Sequence, residues 1–351
     1  MDQFHKHHIS SAPFPIIYGG YATSGGTVIR HFLDEFEDTI NFKPEFRILR
    51  ERYGLIELYY SIFHQISPEN IDIAIRDFTW LAENFARELK RFGKNSGDYD
   101  KYSSGNFSTA IHEFINKITD FSYPMDWHFY DFEKSRLRSV AERKMKQFGI
   151  NLSNDHAYLA TPTKEMFFEA TQLFIKKNLI GMVTATGTET TRFVGLHNAT
   201  PSYNSTLANL SNKIIGPCKM VIVDRDPRDI FLSLPTSAHG RYLKPNCNIE
   251  EKAKYFVKFY KFLRKDVKSL ASVNNVKQIQ FESLVLEYDK QIPELIKFLG
   301  LEKNLHTKRG QFFNPEISIR GVKKWKNAKK SEIKAISIIE RALEDDLYET
   351  R

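Results

Sequence analysis

Two short runs of residues place polar groups at spacings that suit an anion. In the first, Gly20 and Gly25 stand five residues apart. Thr27 then falls where a phosphate loop of the form Gly, four residues, Gly, Lys, Ser or Thr has its hydroxyl. An apolar run before this turn and a helical pattern after it would aim the backbone N–H groups of Thr23, Ser24, Gly25, Gly26 and Thr27 at a phosphate. Gly26 occupies the position that nucleoside triphosphatases give to a lysine, which weakens an ATPase reading. Arg30, four residues further on, would either lean back over the anion or pair with Asp34. The second run, Arg225-Asp226-Pro227-Arg228-Asp229 with Ser233 beyond it, follows an apolar stretch ending at Asp224. Asp226 is expected to cap a helix that begins at Pro227. Arg225 then sits at the carboxyl end of a buried strand, where α/β proteins bind their ligands.

Strands and helices must hold those groups. Residues 15–18 form a short apolar run ended by Gly19-Gly20, and residues 192–196, 219–224 and 276–281 read as further strands. The unbroken apolar run at 219–224 fits a strand covered on both faces. After the Gly-rich turn, Ile29, Phe32, Leu33, Phe36 and Ile40 recur at helical spacing. Further helical patterns cover 69–92, 108–121, 133–148 and 163–179, with a polar, mobile linker expected at 93–106. A helix carrying Ile292, Leu295, Ile296 and Leu299 ends at Gly300. Strands alternating with helices predict an α/β fold: a P-loop-like central parallel sheet flanked by helices, with a large helical insertion at 52–180.

Composition narrows the class. The 351 residues are 41% hydrophobic and 27% charged, as in a globular protein. No run approaches the roughly 18 apolar residues of a membrane helix, and the first eight residues lack a signal-peptide core. Cys218 and Cys247 are too few for a disulfide scaffold or a cysteine zinc cage, so a cytoplasmic, reduced location is expected. The net charge is +8, and residues 303–330 alone carry nine Lys or Arg against the single acid Glu316. The rest of the chain is therefore neutral. A local basic segment suits a phosphate-rich ligand, a nucleic acid or an acidic membrane surface, or is simply a solvated mobile loop.

The loop Thr23-Ser24-Gly25-Gly26-Thr27 and the Arg225-to-Ser233 run together resemble the PAPS-dependent sulfotransferases, whose donor is 3′-phosphoadenosine 5′-phosphosulfate. Two further segments match that family in order: Gln280-Phe281-Glu282-Ser283-Leu284-Val285 leading to Ile296-Lys297-Phe298-Leu299-Gly300-Leu301, and Arg320-Gly321-Val322-Lys323-Lys324-Trp325-Lys326-Asn327. The four pieces span residues 16–327. The resemblance implies one sulfotransferase-like domain over residues 1–351. In it the first loop binds the 5′-phosphosulfate, Arg225 and Ser233 bind the 3′-phosphate, and a basic 303–330 loop closes over the nucleotide through Arg320 and Gly321. The family's first loop carries Lys or Arg where this chain has Thr23. Arg30 or a lysine of 323–326 is the expected substitute.

Sulfuryl transfer to a hydroxyl or amine needs a base within hydrogen-bond reach of the acceptor. Relatives use a Glu some twenty-odd residues after the first loop or a His elsewhere, which points here to Glu45 first, His197 second and His31 third. Each also reads as an ordinary structural residue. No metal is expected, the acceptor is a small molecule or carbohydrate, and no nucleic acid partner is expected. Two rivals stand: a P-loop kinase or NTPase using Asp224 for Mg²⁺, and a nucleic-acid-binding protein using 303–330. Trp325 would stack on adenine or anchor packing. Trp80 and Trp127 are expected in the core, and His5, His7 and His8 form no credible metal site.

Overall fold

The computed structural model describes residues 12–64, 67–87, 97–124, 135–149, 156–186, 188–234 and 247–348. Strand β1 (Phe14–Gly20) turns through the Gly-rich loop into α1 (Thr27–Leu33) and then β2 (Thr39–Asn41). Helices α2 (Leu55–His64), α3 (Pro68–Ala86), α4 (Tyr99–Tyr102), α5 (Asn106–Ile118), α6 (Arg136–Gln147) and α7 (Lys164–Thr186) follow. Strands β3 (Phe121–Pro124) and β4 (His156–Leu159) lie among them. The second half runs β5 (Phe193–His197), α8 (Ser205–Ile215), β6 (Lys219–Asp224), α9 (Pro227–Ser233), α10 (Ile249–Leu263), α11 (Val267–Leu270) and β7 (Val276–Gln280). It closes with α12 (Phe281–Leu286), α13 (Tyr288–Leu299), α14 (Pro315–Ser318) and α15 (Ile333–Ala342).

The central sheet has the order β2-β5-β1-β6-β7, and every pairing in it is parallel. Parallel register sorts the side chains by face. Ile17 aligns with Leu196 and Met220 and joins the core under α2, α3, α5, α7 and α8. Ile16 and Tyr18 face the other way, into a core shared with α1, α12 and α13. Both faces are covered, which is why β1 and β6 read as continuous apolar runs. Helices α2, α3, α4, α5 and α7 share one core with the sheet's Ile17, Val194, Leu196 and Ile222.

Several expectations need correction. Helix α1 stops at Leu33, and Ile40 lies on β2 rather than on the helix face. The Thr39 hydroxyl donates to the Leu33 carbonyl, so a side chain satisfies a helix-end acceptor. The described part of the expected mobile linker is packed. Tyr99 is fully buried there and stacks on Phe46 and Phe85, with ring centroids 5.8 and 5.0 Å away. Residues 121–124 and 156–159 pair as antiparallel strands within the expected helical stretch. Trp80 is 56% exposed, not core. Trp127, Leu89, Phe92, His5, His7 and His8 lie outside the described residues.

The 303–330 segment is not a free loop where it meets the body. Glu35 is fully buried and accepts the N–H groups of Phe312 and Phe313 at 3.2 and 2.9 Å, with His306 Nε2 at 2.7 Å. A buried carboxyl group with two backbone donors and an imidazole contact ties the segment down, because releasing it would strand a desolvated polar group.

Candidate functional site

The order of the sheet puts β1 between β5 and β6, and the loops after these three strands meet at their carboxyl ends. Such a switch point is where open α/β sheets form a crevice. On one side lies the loop after β1. Ala22 and Thr23 have positive φ values of 34° and 58°, an uncommon and costly conformation for a β-branched residue. The neighbours hold it in place. Ser24 Oγ accepts the N–H of Tyr21 at 2.8 Å and donates to the Val223 carbonyl of β6 at 2.6 Å. The Ser24 side chain is therefore structural, and only its backbone N–H is free to serve an anion. Gly26 has no room for a side chain, since a Cβ there would lie 2.8 Å from the Gly19 carbonyl carbon. Gly25 has φ +95°, and a Cβ would meet the Phe281 ring at 2.8 Å.

Arg225 joins the expected elements. Its guanidinium donates through Nη1 to the Thr23 carbonyl at 3.4 Å and through Nη2 to the Gly321 carbonyl, and it lies 4.9 Å from the Phe281 ring centroid. One side chain thus connects the loop after β1, the end of β6 and the C-terminal segment. Asp226 caps α9 by accepting the Arg228 N–H at 2.8 Å, as expected from Asp-Pro. Arg228 is buried, paired with Asp226 at 2.7 Å and Glu340 at 3.0 Å, and lies 3.7 Å over Trp325. Trp325 is thus a packing anchor, with its N–H on Asp229 at 3.1 Å. Ser233 Oγ donates to the Asp229 carbonyl at 2.8 Å and accepts from Lys324 Nζ at 3.1 Å. Arg320 and Thr27 are exposed.

Two buried acids under this side lie within the motif segments but were not singled out as site residues. Glu282 accepts the Asp226 N–H at 2.9 Å, and burial pushes its carboxyl up to about 7. Burial pushes Asp229 up to about 6, offset by the Arg225 guanidinium and the Trp325 N–H. The sequence signals for Glu282 are its place just after the last strand and its membership of the 280–285 segment.

On the other side of β1, register decides the geometry. Tyr18 pairs with His197, so their rings stack with centroids 5.2 Å apart at 18°. The chain after β2 runs beside the end of β5, with the Phe46 N–H on the His197 carbonyl at 3.0 Å. This brings Glu45 to His197: Oε1 lies 3.7 Å from Nδ1. The two candidate bases are neighbours, not alternatives at separate places. Asn198 donates to Glu45 Oε1 at 2.9 Å, and Arg50 Nη2 lies 3.5 Å from Oε2. Burial lowers the His197 pKa below its usual value; Glu45 opposes this, and Arg50 and Arg30 reinforce it. Burial therefore favours the neutral ring, whose lone pair can accept a proton. Arg30 is within electrostatic reach of Tyr18 and His197, and Asp34 is hydrogen-bonded by Asn41 at 2.8 Å. His31 is exposed on α1 and apart from this group. Arg50 and Asn198 escaped the sequence reading, because nothing in their spacing ties them to Glu45.

Asp224 accepts from the buried Arg264 guanidinium, Nε to Oδ1 at 3.2 Å. Its charge is met by an arginine, which is not how a Mg²⁺-binding acid is held open.

No family model and no curated protein matches the sequence. Solved structures of similar outline include a sulfotransferase domain from the curacin biosynthetic pathway, 11% identical over 94% of this chain and 97% of that one, with a TM-score of 0.46. A sulfotransferase from Alicyclobacillus acidocaldarius is 12% identical over 91% and 97%, with a TM-score of 0.35. Retinol dehydratase in complex with androsterone and the inactive cofactor PAP is 14% identical over 94% and 81%, with a TM-score of 0.34. At these scores the likeness is one of outline only, and the chemistry must be read from the side chains themselves.

Proposed function

We propose that this chain is a sulfotransferase that moves a sulfuryl group from PAPS to a hydroxyl or amine of a small-molecule or carbohydrate acceptor. The reading rests above all on Arg225, whose guanidinium bonds the carbonyls of both Thr23 and Gly321 and so gathers three motif segments that are distant in sequence. The residues there fit the two phosphate ends of such a donor. Among the described residues, Arg225 Nε and Thr23 Oγ1 are buried without hydrogen-bond partners, which leaves donors for an anion at that point. The N–H groups of Ser24, Gly25, Gly26 and Thr27 would hold the phosphosulfate end. Arg225, Ser233, Lys324, Arg320 and the Gly321 backbone would hold the 3′-phosphate.

The donor supplies an activated sulfuryl group when bound. The acceptor oxygen or nitrogen forms the new bond to sulfur as the bond from sulfur to the phosphate oxygen breaks, and the acceptor proton passes to the base. We assign that base to the Glu45–His197 pair, with Asn198 and Arg50 orienting the Glu45 carboxylate. Arg30 is the better substitute for the basic residue missing at Thr23. It lies within electrostatic reach of Tyr18 and His197, whereas Lys324 is engaged by Ser233 on the opposite side. In this reading residues 1–351 work as one unit, 52–180 shape the acceptor side and 303–330 close over the nucleotide. A cytoplasmic location fits a chain with only two cysteines, Cys218 and Cys247.

Calorimetric titration with adenosine 3′,5′-bisphosphate, run beside ATP with and without Mg²⁺, tests the donor. Micromolar, metal-independent binding of the bisphosphate with weak ATP binding is expected. Binding of ATP only with Mg²⁺ overturns the proposal. Once an acceptor is found, Glu45→Ala should abolish turnover and leave bisphosphate affinity unchanged. An Arg30→Ala enzyme with wild-type transfer removes Arg30 from the mechanism.

A further inference from the structure

The proposed donor site uses only one edge of the basic 303–330 segment. Buried contacts pin the inner side of that segment: Phe312 and Phe313 to Glu35, Gly321 to Arg225, and Trp325 to Asp229. Its outer side is unexpectedly apolar. Ile317 is 64% exposed, Ile319 50% and Phe312 49%, and Leu286 at the end of α12 is 45% exposed where α12 packs against α14. Three large apolar side chains exposed between residues 312 and 319, with Leu286 on the helix packed against α14, are the kind of surface that becomes covered. Lys303, Lys308 and Arg309, which the proposed donor site does not use, are all exposed in the same segment. Glu316 is its only acid, and the charges of the rest of the chain cancel.

We propose that this face docks peripherally on a membrane surface containing anionic lipids. The isoleucines and Phe312 project from a one-turn helix and tight turns, a form that enters a fluid headgroup layer without needing a matching groove. The surrounding cations meet lipid phosphates and carboxylates at the depth where the apolar side chains leave water. A nucleic acid fits less well, because isoleucine has no π face for stacking and would stay hydrated against a phosphate backbone. No described helix is long and apolar enough to cross a membrane, and the proposed association is at the surface. Gly321, bonded to Arg225, lies directly after Ile319 and Arg320, so docking would bring the crevice at the end of β6 close to the lipid.

Sedimentation of the full chain with vesicles tests this. The wild type should pellet with phosphatidylcholine–phosphatidylserine vesicles and not with phosphatidylcholine alone, and added salt should release it. Ile317→Ser/Ile319→Ser should lower the partition coefficient roughly tenfold or more. Lys303→Glu/Lys308→Glu should lower it by a similar factor. Both pairs are exposed, so unchanged melting curves are expected to accompany the loss. Absence of binding to phosphatidylserine vesicles overturns the proposal, as does equal binding by the serine variant. A concentration-dependent dimer that the serine variant abolishes would assign the face to a second copy instead, and RNA binding that replaces vesicle binding would assign it to a polyanion. Vesicle binding is read without nucleotide, so its failure leaves the donor titration untouched, and the reverse also holds.

Discussion

The two flanks of β1 are built in opposite ways. Towards β6, Arg225, Asp226, Arg228, Asp229, Asp224, Arg264 and Glu282 are each 8% exposed or less and are bonded to backbone or to one another. Towards β5, Arg30, Glu45, Arg50 and His197 are half-buried, and the ionic contacts of Glu45 are long, 3.5 and 3.7 Å. A buried network keeps its geometry whether or not a ligand is present, because every broken bond strands a desolvated group. A half-buried cluster with long contacts responds to each charge brought near it. In the proposed reaction the first flank is the socket for the donor, and the second is the side where a proton must move.

The largest expected effect lies on the rigid flank. Arg264→Ala leaves Asp224 buried without its guanidinium and should destabilise the fold by about 3–5 kcal/mol, read by urea denaturation. A loss near zero would mean that the β6 flank is no more rigid than the other.

Arg225→Ala comes next. Hydrogen bonds to a charged group contribute about 1.5–3 kcal/mol, so affinity for adenosine 3′,5′-bisphosphate should fall roughly 10- to 100-fold, measured by calorimetry. Glu45→Ala on the opposite flank should leave that affinity unchanged, and an equal fall in both variants would erase the distinction between the flanks.

Glu282 gives a pH test. Its folded carboxyl is raised to about 7 from a usual value near 4.5. The folded state therefore binds the proton more tightly than the unfolded chain. Stability from this group is complete below its unfolded value and is lost as pH rises towards about 7. Glu282→Gln keeps an acceptor for the Asp226 N–H without the charge. It should flatten the fall in stability between those pH values, a difference on the order of 3 kcal/mol.

The smallest effect is on the responsive flank. Glu45→Ala should lower the His197 pKa and Arg30→Ala should raise it, each by roughly a few tenths of a unit to one unit, followed by NMR titration of the ring. Two variants that move it in the same direction would show that their charges do not act on His197.

Much of the β6 flank was legible because its signals are local. Asp226 before Pro227 caps a helix, a continuous apolar run becomes the strand before it, and Gly25 and Gly26 meet steric demands within a few residues of themselves. The end of α1 was misread because the group that stops it, the Thr39 hydroxyl, lies beyond the apparent helical period. The linker before Asn106 was misread because its polar residues hide Tyr99, whose ring fills a core between distant phenylalanines.

The sequence alone determined the parallel α/β order, the capped helix at Pro227, the Gly-rich turn and the concentration of positive charge at 303–330, all properties set by neighbours along the chain. It named Glu45 and His197 as separate candidates. Only the tertiary structure made them one pair, because parallel register placed His197 on Tyr18 and drew the chain after β2 alongside. It alone joined Thr23 to Gly321 through Arg225, and buried Glu282 beneath them. Strand order and burial are properties of chain segments hundreds of residues apart, and no local period or spacing encodes them.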